Sequence, residues 1–180
     1  MANLIRVAAA LGEAAIAAAD VNHRNFFMAI AEHEVLIERD AMAVYQYLLD
    51  ATNLPAWRSD VRSVKLVQGP AEAKGAVYRK MVAGRSGLSI PAELEITNVR
   101  PGAEIQFHVV FGPATRWGGY YLSSEDAGTR VRFAVEAKRE GRFGFLSRWT
   151  FFNGMLQRRV SSDVAQLDRL KNVLELQPAL

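Results

Sequence analysis

Three neighbouring stretches of this chain alternate apolar and polar residues with a period of two. Ile90, Ala92, Leu94 and Ile96 alternate with Glu93, Glu95 and Thr97; Ile105, Phe107, Val109 and Phe111 alternate with Glu104, Gln106 and His108; Val131, Phe133, Val135 and Ala137 alternate with Arg130, Arg132, Glu136 and Lys138. A period of two places each apolar set on one face of a strand and each polar set on the other. These stretches belong to six strand-like runs: Val61 to Val67, Ala76 to Ala83, Leu88 to Val99, Glu104 to Phe111, Arg116 to Ser123 and Thr129 to Arg139. The gaps between them read QGPAEAKG, GRSG, RPGA, GPAT and EDAG, all turn chemistry. Gaps this short join antiparallel neighbours, because a parallel pair needs a long crossover. The chain is thereby confined to an antiparallel meander with one apolar face, and that face needs a cover.

The cover lies downstream. From Phe145 to Leu176, Leu146, Trp149, Phe152, Leu156, Val160, Val164, Leu167, Leu170 and Leu174 recur at helical spacing, which predicts a long helix with one apolar stripe. Upstream, His33 to Arg39 reads as a short strand. Asp40 then stands at an N-cap position before a helix over Ala41 to Asp50, marked by Val44, Tyr45 and Leu48. A connector carrying Pro55 and Trp57 joins that helix to the meander. The fold class predicted is α+β: a seven-stranded antiparallel sheet curved around a long C-terminal helix.

Composition bounds the function. At 180 residues, 50% hydrophobic and 23% charged, the chain suits one well-filled core. It has no cysteine, which excludes disulfides, thiolate metal sites and thiol nucleophiles. His23, His33 and His108 lack companions at metal-ligand spacing, so no metal is expected. The formal charge of +3 comes from dispersed arginines, so a nucleic-acid partner is not expected either. No glycine-rich phosphate loop precedes a helix, and Ser123, Ser124, Ser147, Ser161 and Ser162 have no histidine beside them in the pattern. No cofactor is expected.

Residues 1 to 31 differ from the rest. Met1 to Ala19 is an alanine-rich run with Arg6 near its start, and Glu13 interrupts it, which disfavours an export signal and a membrane span. Leu4, Val7 and Leu11 fit a weakly amphipathic helical extension. The expected division is an extension over 1–31, a domain over 32–176 and a tail over 177–180, in a cytoplasmic protein. Met28 is an alternative start, and Met1 to Phe27 is expected to contribute little to folding.

The stretches VYQYLLDATNLPAWRSDV, AGTRVRFAVE and MLQRRVSSDVAQLDRLKNVLE, in that order on a helix with its connector, a last strand and a closing helix, resemble the START-like (SRPBCC) superfamily. Its branches include pollen allergens, polyketide cyclases/dehydrases and coenzyme Q-binding proteins. The resemblance covers about His33 to Glu175 and implies a helix-grip fold with a cavity between sheet and helix. The alanine-rich start is outside the family pattern, and Arg39-Asp40-Ala41 stands where a small residue and a proline are usual.

The resemblance implies binding of a small hydrophobic or amphipathic molecule, such as a lipid, a quinone or a polyketide-like aromatic, by a carrier or sensor. The alternatives are a cyclase/dehydratase-type enzyme using the same cavity, and a helper module docking on a membrane or protein. Side chains expected at the ligand are Trp57, Leu94, Ile96, Phe107, Val109, Tyr120, Leu122, Phe133, Trp149, Phe152 and Leu156. Trp57 reads equally well as a structural plug and as a ligand contact. Donors for the enzyme reading are Arg116, Tyr120 and Tyr78, although Gly118-Gly119 is compatible with a bulge that would reverse the strand's phase. For Arg116 a solvated rim position is preferred to an inner one, which would require an anionic partner. His108 falls on the wet face, which argues against acid-base work. Phe143, Phe145 and Trp149, near Arg142 and Arg148, are candidates for transient membrane contact.

Overall fold

A computed structural model describes residues 26–84, 87–111, 114–140, 157–158 and 161–176. Seven strands, β1 (Phe26–Ile37), β2 (Val61–Gln68), β3 (Val77–Ala83), β4 (Ser89–Arg100), β5 (Glu104–Phe111), β6 (Ala114–Glu125) and β7 (Gly128–Glu140), form one sheet in the order β1-β7-β6-β5-β4-β3-β2. Every pair is antiparallel. Consecutive strands are neighbours from β2 to β7, as the short gaps require, and β1 closes the far edge against β7. Helix α1 (Ala41–Leu49), a 3₁₀ turn (Ala51–Asn53) and the short α2 (Leu54–Trp57) connect β1 to β2, and α3 (Leu167–Leu176) ends the described chain.

The alternation seen in the sequence is the inner face. Ala92, Leu94 and Ile96 on β4, Ile105, Phe107 and Val109 on β5, and Val131, Phe133, Val135 and Ala137 on β7 are all buried. Ile90, at the end of β4, is exposed. On the outer face Glu104 is also buried, covered by Arg100 and by Gln106, whose amide donates to it.

β1 departs from the expected strand, starting at Phe26 and ending at Ile37. Phe26 and Phe27, expected outside the domain, pair with Glu140 and Arg139 of β7. The sequence concealed this because the usual size rule is inverted there: small Ala29 is 3% exposed and faces in, whereas Ile30 is 54% exposed and faces out. The apolar stripe of the closing helix is seen at Val164, Leu167, Leu170 and Leu174, all buried. A turn at 165–166 separates 161–164 from α3, so the helix is not continuous over Phe145 to Leu176 as expected. Its stretch over 145–156, and the extension over 1–25, lie outside the described residues.

The connector is built by local polar bonds. Asp40 caps α1 by accepting from the amides of Met42 (2.8 Å) and Ala43 (3.2 Å). Asp50 accepts from the amide (2.9 Å) and hydroxyl (2.6 Å) of Thr52, and Asn53 Nδ2 donates to the Tyr47 carbonyl at 3.0 Å. Pro55 suits the first turn of α2, where its missing N–H leaves nothing unbonded. This short helix delivers Leu54 and Trp57 into the core, each under a tenth exposed. At the other end, α3 is held to β1 and its exit by Lys171 Nζ on the Leu36 carbonyl (2.6 Å) and by Arg39 Nε on the Leu174 carbonyl (3.0 Å).

Candidate ligand-binding interior

Strand β6 settles which side chains look inward. Its register with β5 and β7 runs unbroken from Ala114 to Tyr121, so Gly118-Gly119 is not a bulge, and Arg116, Gly118, Tyr120 and Leu122 share the inner face. Gly118 is needed there: a Cβ would stand 2.7 and 2.8 Å from atoms of the Phe107 ring on the paired strand. The missing side chain gives Phe107 room to lie across β6. Tyr120 then packs at 5.4 Å from Phe107, 4.7 Å from Phe133 and 6.2 Å, edge on, from Trp57.

Trp57 is 1% exposed, and its indole makes no hydrogen bond among the described residues. The ring carries Tyr120 on its edge and the Arg58 guanidinium 5.8 Å from its centroid. Beside this aromatic group Leu48, Leu54, Leu94, Ile96, Phe107 and Tyr120 surround an apolar cavity of about 20 Å³, room for a single water molecule. The Tyr120 hydroxyl makes no hydrogen bond among the described residues. Burial first of all raises its pKa, and it stays neutral.

The other end of the interior is charged. Arg58, 7% exposed, grips Asp60 with two bonds of 2.9 and 3.0 Å and reaches Asp163 at 2.9 Å. Asp163, 14% exposed, also accepts from Arg116 at 2.6 Å, so one carboxylate joins the connector, the chain just before α3 and the start of β6. Gln166 extends the junction, accepting from the Ser59 amide at 2.7 Å and donating to Asp60 at 3.3 Å. Arg116 is thus an inner residue with a carboxylate partner, which corrects the rim position expected for it. Its Nε is sealed from solvent without a hydrogen-bond partner among the described residues.

Lys80 belongs to the same region. It shares the inner face of β3 with Tyr78 and lies opposite Ala92 of β4 and Val64 of β2. Burial is the main cause that pushes its pKa down, to about 8; Arg58 and Arg116 push the same way, and Asp60 and Asp163 partly offset them. Burial works against charge on Arg58 and Asp60 too. There the mutual hydrogen bonds prevail, holding the guanidinium above and the carboxyl below its ordinary value.

Of the expected ligand-side residues, Trp57, Leu94, Ile96, Phe107, Val109, Tyr120, Leu122 and Phe133 are all buried. Of the donors, Arg116 and Tyr120 face the interior from one strand, whereas the buried Tyr78 hydroxyl accepts the Glu72 amide at 3.0 Å and so anchors the β2–β3 turn. His108 faces outward, 3.7 Å from Glu95. Trp149, Phe152 and Leu156, and the membrane candidates Phe143 and Phe145, lie outside the described residues. Sequence reasoning missed Arg58, Asp60, Lys80 and Asp163. Signals existed for two of them: Lys80 shares the parity of Tyr78, and Asp163 sits directly beside the apolar stripe at Val164.

Among the described residues no group of three His, Asp or Glu could hold a metal ion, and no helix is long and apolar enough to cross a membrane. A seven-stranded antiparallel sheet whose apolar face is closed by helices is the helix-grip fold. The chain belongs to the polyketide cyclase / dehydrase and lipid transport family, whose model matches residues 28–175.

Similar solved structures include the di-domain ARO/CYC StfQ from the steffimycin biosynthetic pathway (TM-score 0.66, 13% identity, covering 83% of this chain and 51% of that one). Others are SA2116 of Staphylococcus aureus, a protein of unknown function (0.65, 14%, 84% and 96%), and Ara h 8.0201 (0.61, 12%, 82% and 97%). At these identities they show a shared fold. No curated protein sequence matches.

Proposed function

We propose that this protein binds a small amphipathic molecule between the inner sheet face and the closing helix, as a carrier or sensor. The observation that carries this reading is the two-ended interior, in which apolar side chains of β4 and β5 run toward the charged group around Asp163. Burial of an apolar ligand body would supply most of the affinity, at about 25 cal/mol per Å² before the losses on association. A few polar groups would set its orientation. The cavity beside Tyr120 is far below the several hundred Å³ of an ordinary ligand site. A ligand of ordinary size at this spot requires the cavity's walls, Leu48 and Leu54 among them, to yield.

Native mass spectrometry of the purified protein tests the reading, with retention of an apolar or amphipathic compound expected. Protein that carries nothing, and takes up neither charged nor neutral apolar probes, would overturn it.

Family membership and Tyr120, buried in the aromatic cluster with a hydroxyl that makes no hydrogen bond among the described residues, favour a second reading as a cyclase/dehydratase-type enzyme. Such a pocket works by placement and a few donors aimed at developing charge. Tyr120→Phe separates the two: loss of turnover of a polyketide-type substrate with binding retained supports the enzyme, and unchanged turnover excludes Tyr120 as its donor.

A further inference from the structure

We propose that the charged end of the interior is an anion subsite, at which Lys80 holds an anionic oxygen group, a carboxylate, sulfonate or enolate, of the ligand whose apolar body lies along Leu94 and Val109. This rests on the binding reading above and adds the chemical class of the ligand.

The first support is the local charge count. Three cations, Arg58, Arg116 and Lys80, share this region with two carboxylates, Asp60 and Asp163. Both carboxylates are engaged: Asp60 by Arg58, and Asp163 by Arg58 on one oxygen and Arg116 on the other. Lys80 makes no hydrogen bond or ion pair among the described residues. One positive charge is left over.

The nearby acids of the sheet are used on the other face. Glu93 pairs with Arg79, Glu95 lies by His108, and Glu104 is taken by Arg100. Residues 141–156 contain neither Asp nor Glu. An uncompensated cation inside a protein costs stability, and a methionine would fill the same volume without that cost. A ligand anion supplies the missing countercharge.

The placement fits an amphipathic ligand. In the sheet, Tyr78 pairs with Leu94, Leu94 with Val109 and Val109 with Arg116, so one inner row runs from β3 to β6. Lys80 stands one step along β3 from this row, with Ala92 beside it. Lys80 and Arg116 therefore flank a short apolar strip of Ala92, Leu94 and Val109. Lys80 is half-buried and keeps some accessible surface on the inner face of the sheet. The groups acting on its charge are Arg58 and Asp60 from the connector, Asp163 from before α3 and Arg116 from β6. Its lowered pKa, about 8, leaves most of the amine protonated at neutral pH and ready for an anion.

The test compares two fluorescent probes with nearly the same apolar body: anilinonaphthalene sulfonate, an anion throughout the working pH range, and phenylnaphthylamine, which lacks the sulfonate. In the intact protein the sulfonate probe should bind more tightly. Lys80→Met should reduce the ratio of the two affinities about tenfold, the scale of one charge-assisted contact, with the neutral probe nearly unchanged. Without any substitution, the excess affinity for the sulfonate should hold below about pH 8 and fall above it, as Lys80 loses its proton, while the neutral probe stays flat. This pH profile decides the matter if Lys80→Met does not fold. Equal behaviour of the two probes with pH, or a ratio unchanged in a folded Lys80→Met protein, would overturn the anion subsite and leave the apolar reading standing. Failure of both probes to bind would overturn the binding reading itself.

Discussion

At the Tyr120 end of the interior, Trp57, Phe107, Tyr120 and Phe133 meet ring against ring; at the Asp163 end, Arg58 and Arg116 hold one carboxylate, with Asp60 on Arg58 and Lys80 in the same region. The first arrangement is held by non-directional contacts, whose strength follows buried area and fit. The second depends on each charge having its partner, because low polarity magnifies both a satisfied and an unsatisfied group. The two ends should therefore fail differently: the aromatic end gradually with volume, the charged end abruptly with the loss of one member.

Asp163→Ala puts that contrast under the greatest strain. It leaves the buried Arg58 and the half-buried Arg116 short of a partner and also cuts the tie between β6 and the chain before α3. A loss of about 3–5 kcal/mol is expected in urea or guanidinium unfolding. A loss below about 1 kcal/mol would show that water or the other carboxylate replaces Asp163, and that the charged end is less demanding than its geometry indicates.

Gly118→Ala probes the aromatic end. The new methyl would press on a Phe107 ring that Tyr120 and Phe133 already hold, so overpacking of about 1–3 kcal/mol is expected from the same unfolding measurement. The simultaneous change Phe107→Leu should recover part of it, because the conflict is one of volume.

Lys80→Met should act in the opposite direction. The amine's pKa is about 8 in the folded protein against an ordinary 10.5, so between those values the unfolded chain binds more protons and stability rises with pH. The cost of the buried charge is fully present below about pH 8 and disappears above the ordinary lysine value. Lys80→Met should consequently stabilise the protein by about 1 kcal/mol near neutrality, after allowance for the amine's partial exposure, and by little in strong alkali. Melting curves across this range check it; a gain independent of pH would trace to packing.

His108→Ala should change least. On the outer face with Glu95 at 3.7 Å, it belongs to neither end, and an effect within about 0.5 kcal/mol is expected with probe binding unchanged.

Much of the fold was legible because strand phase is a local property. The alternation in β4, β5 and β7 named the buried side of each strand from a few adjacent letters, and the short gaps left only an antiparallel order. The same locality made Asp40 readable as a cap. It failed in β1, where small Ala29 lies inside and large Ile30 outside, and at Gly118-Gly119, where a close ring contact and a bulge predict the same pair of letters. The charged end was beyond such reading. Asp163 is 105 residues from Arg58 and 47 from Arg116 along the chain. Which charges meet depends on how the sheet, the connector and the closing helix pack together, since a carboxylate in sequence carries no mark of the distant cation that will neutralise it. Strands, their phase and the need for a covering helix are written in short runs of letters; which cations meet carboxylates, and that Lys80 meets none among the described residues, follows from packing across distant segments.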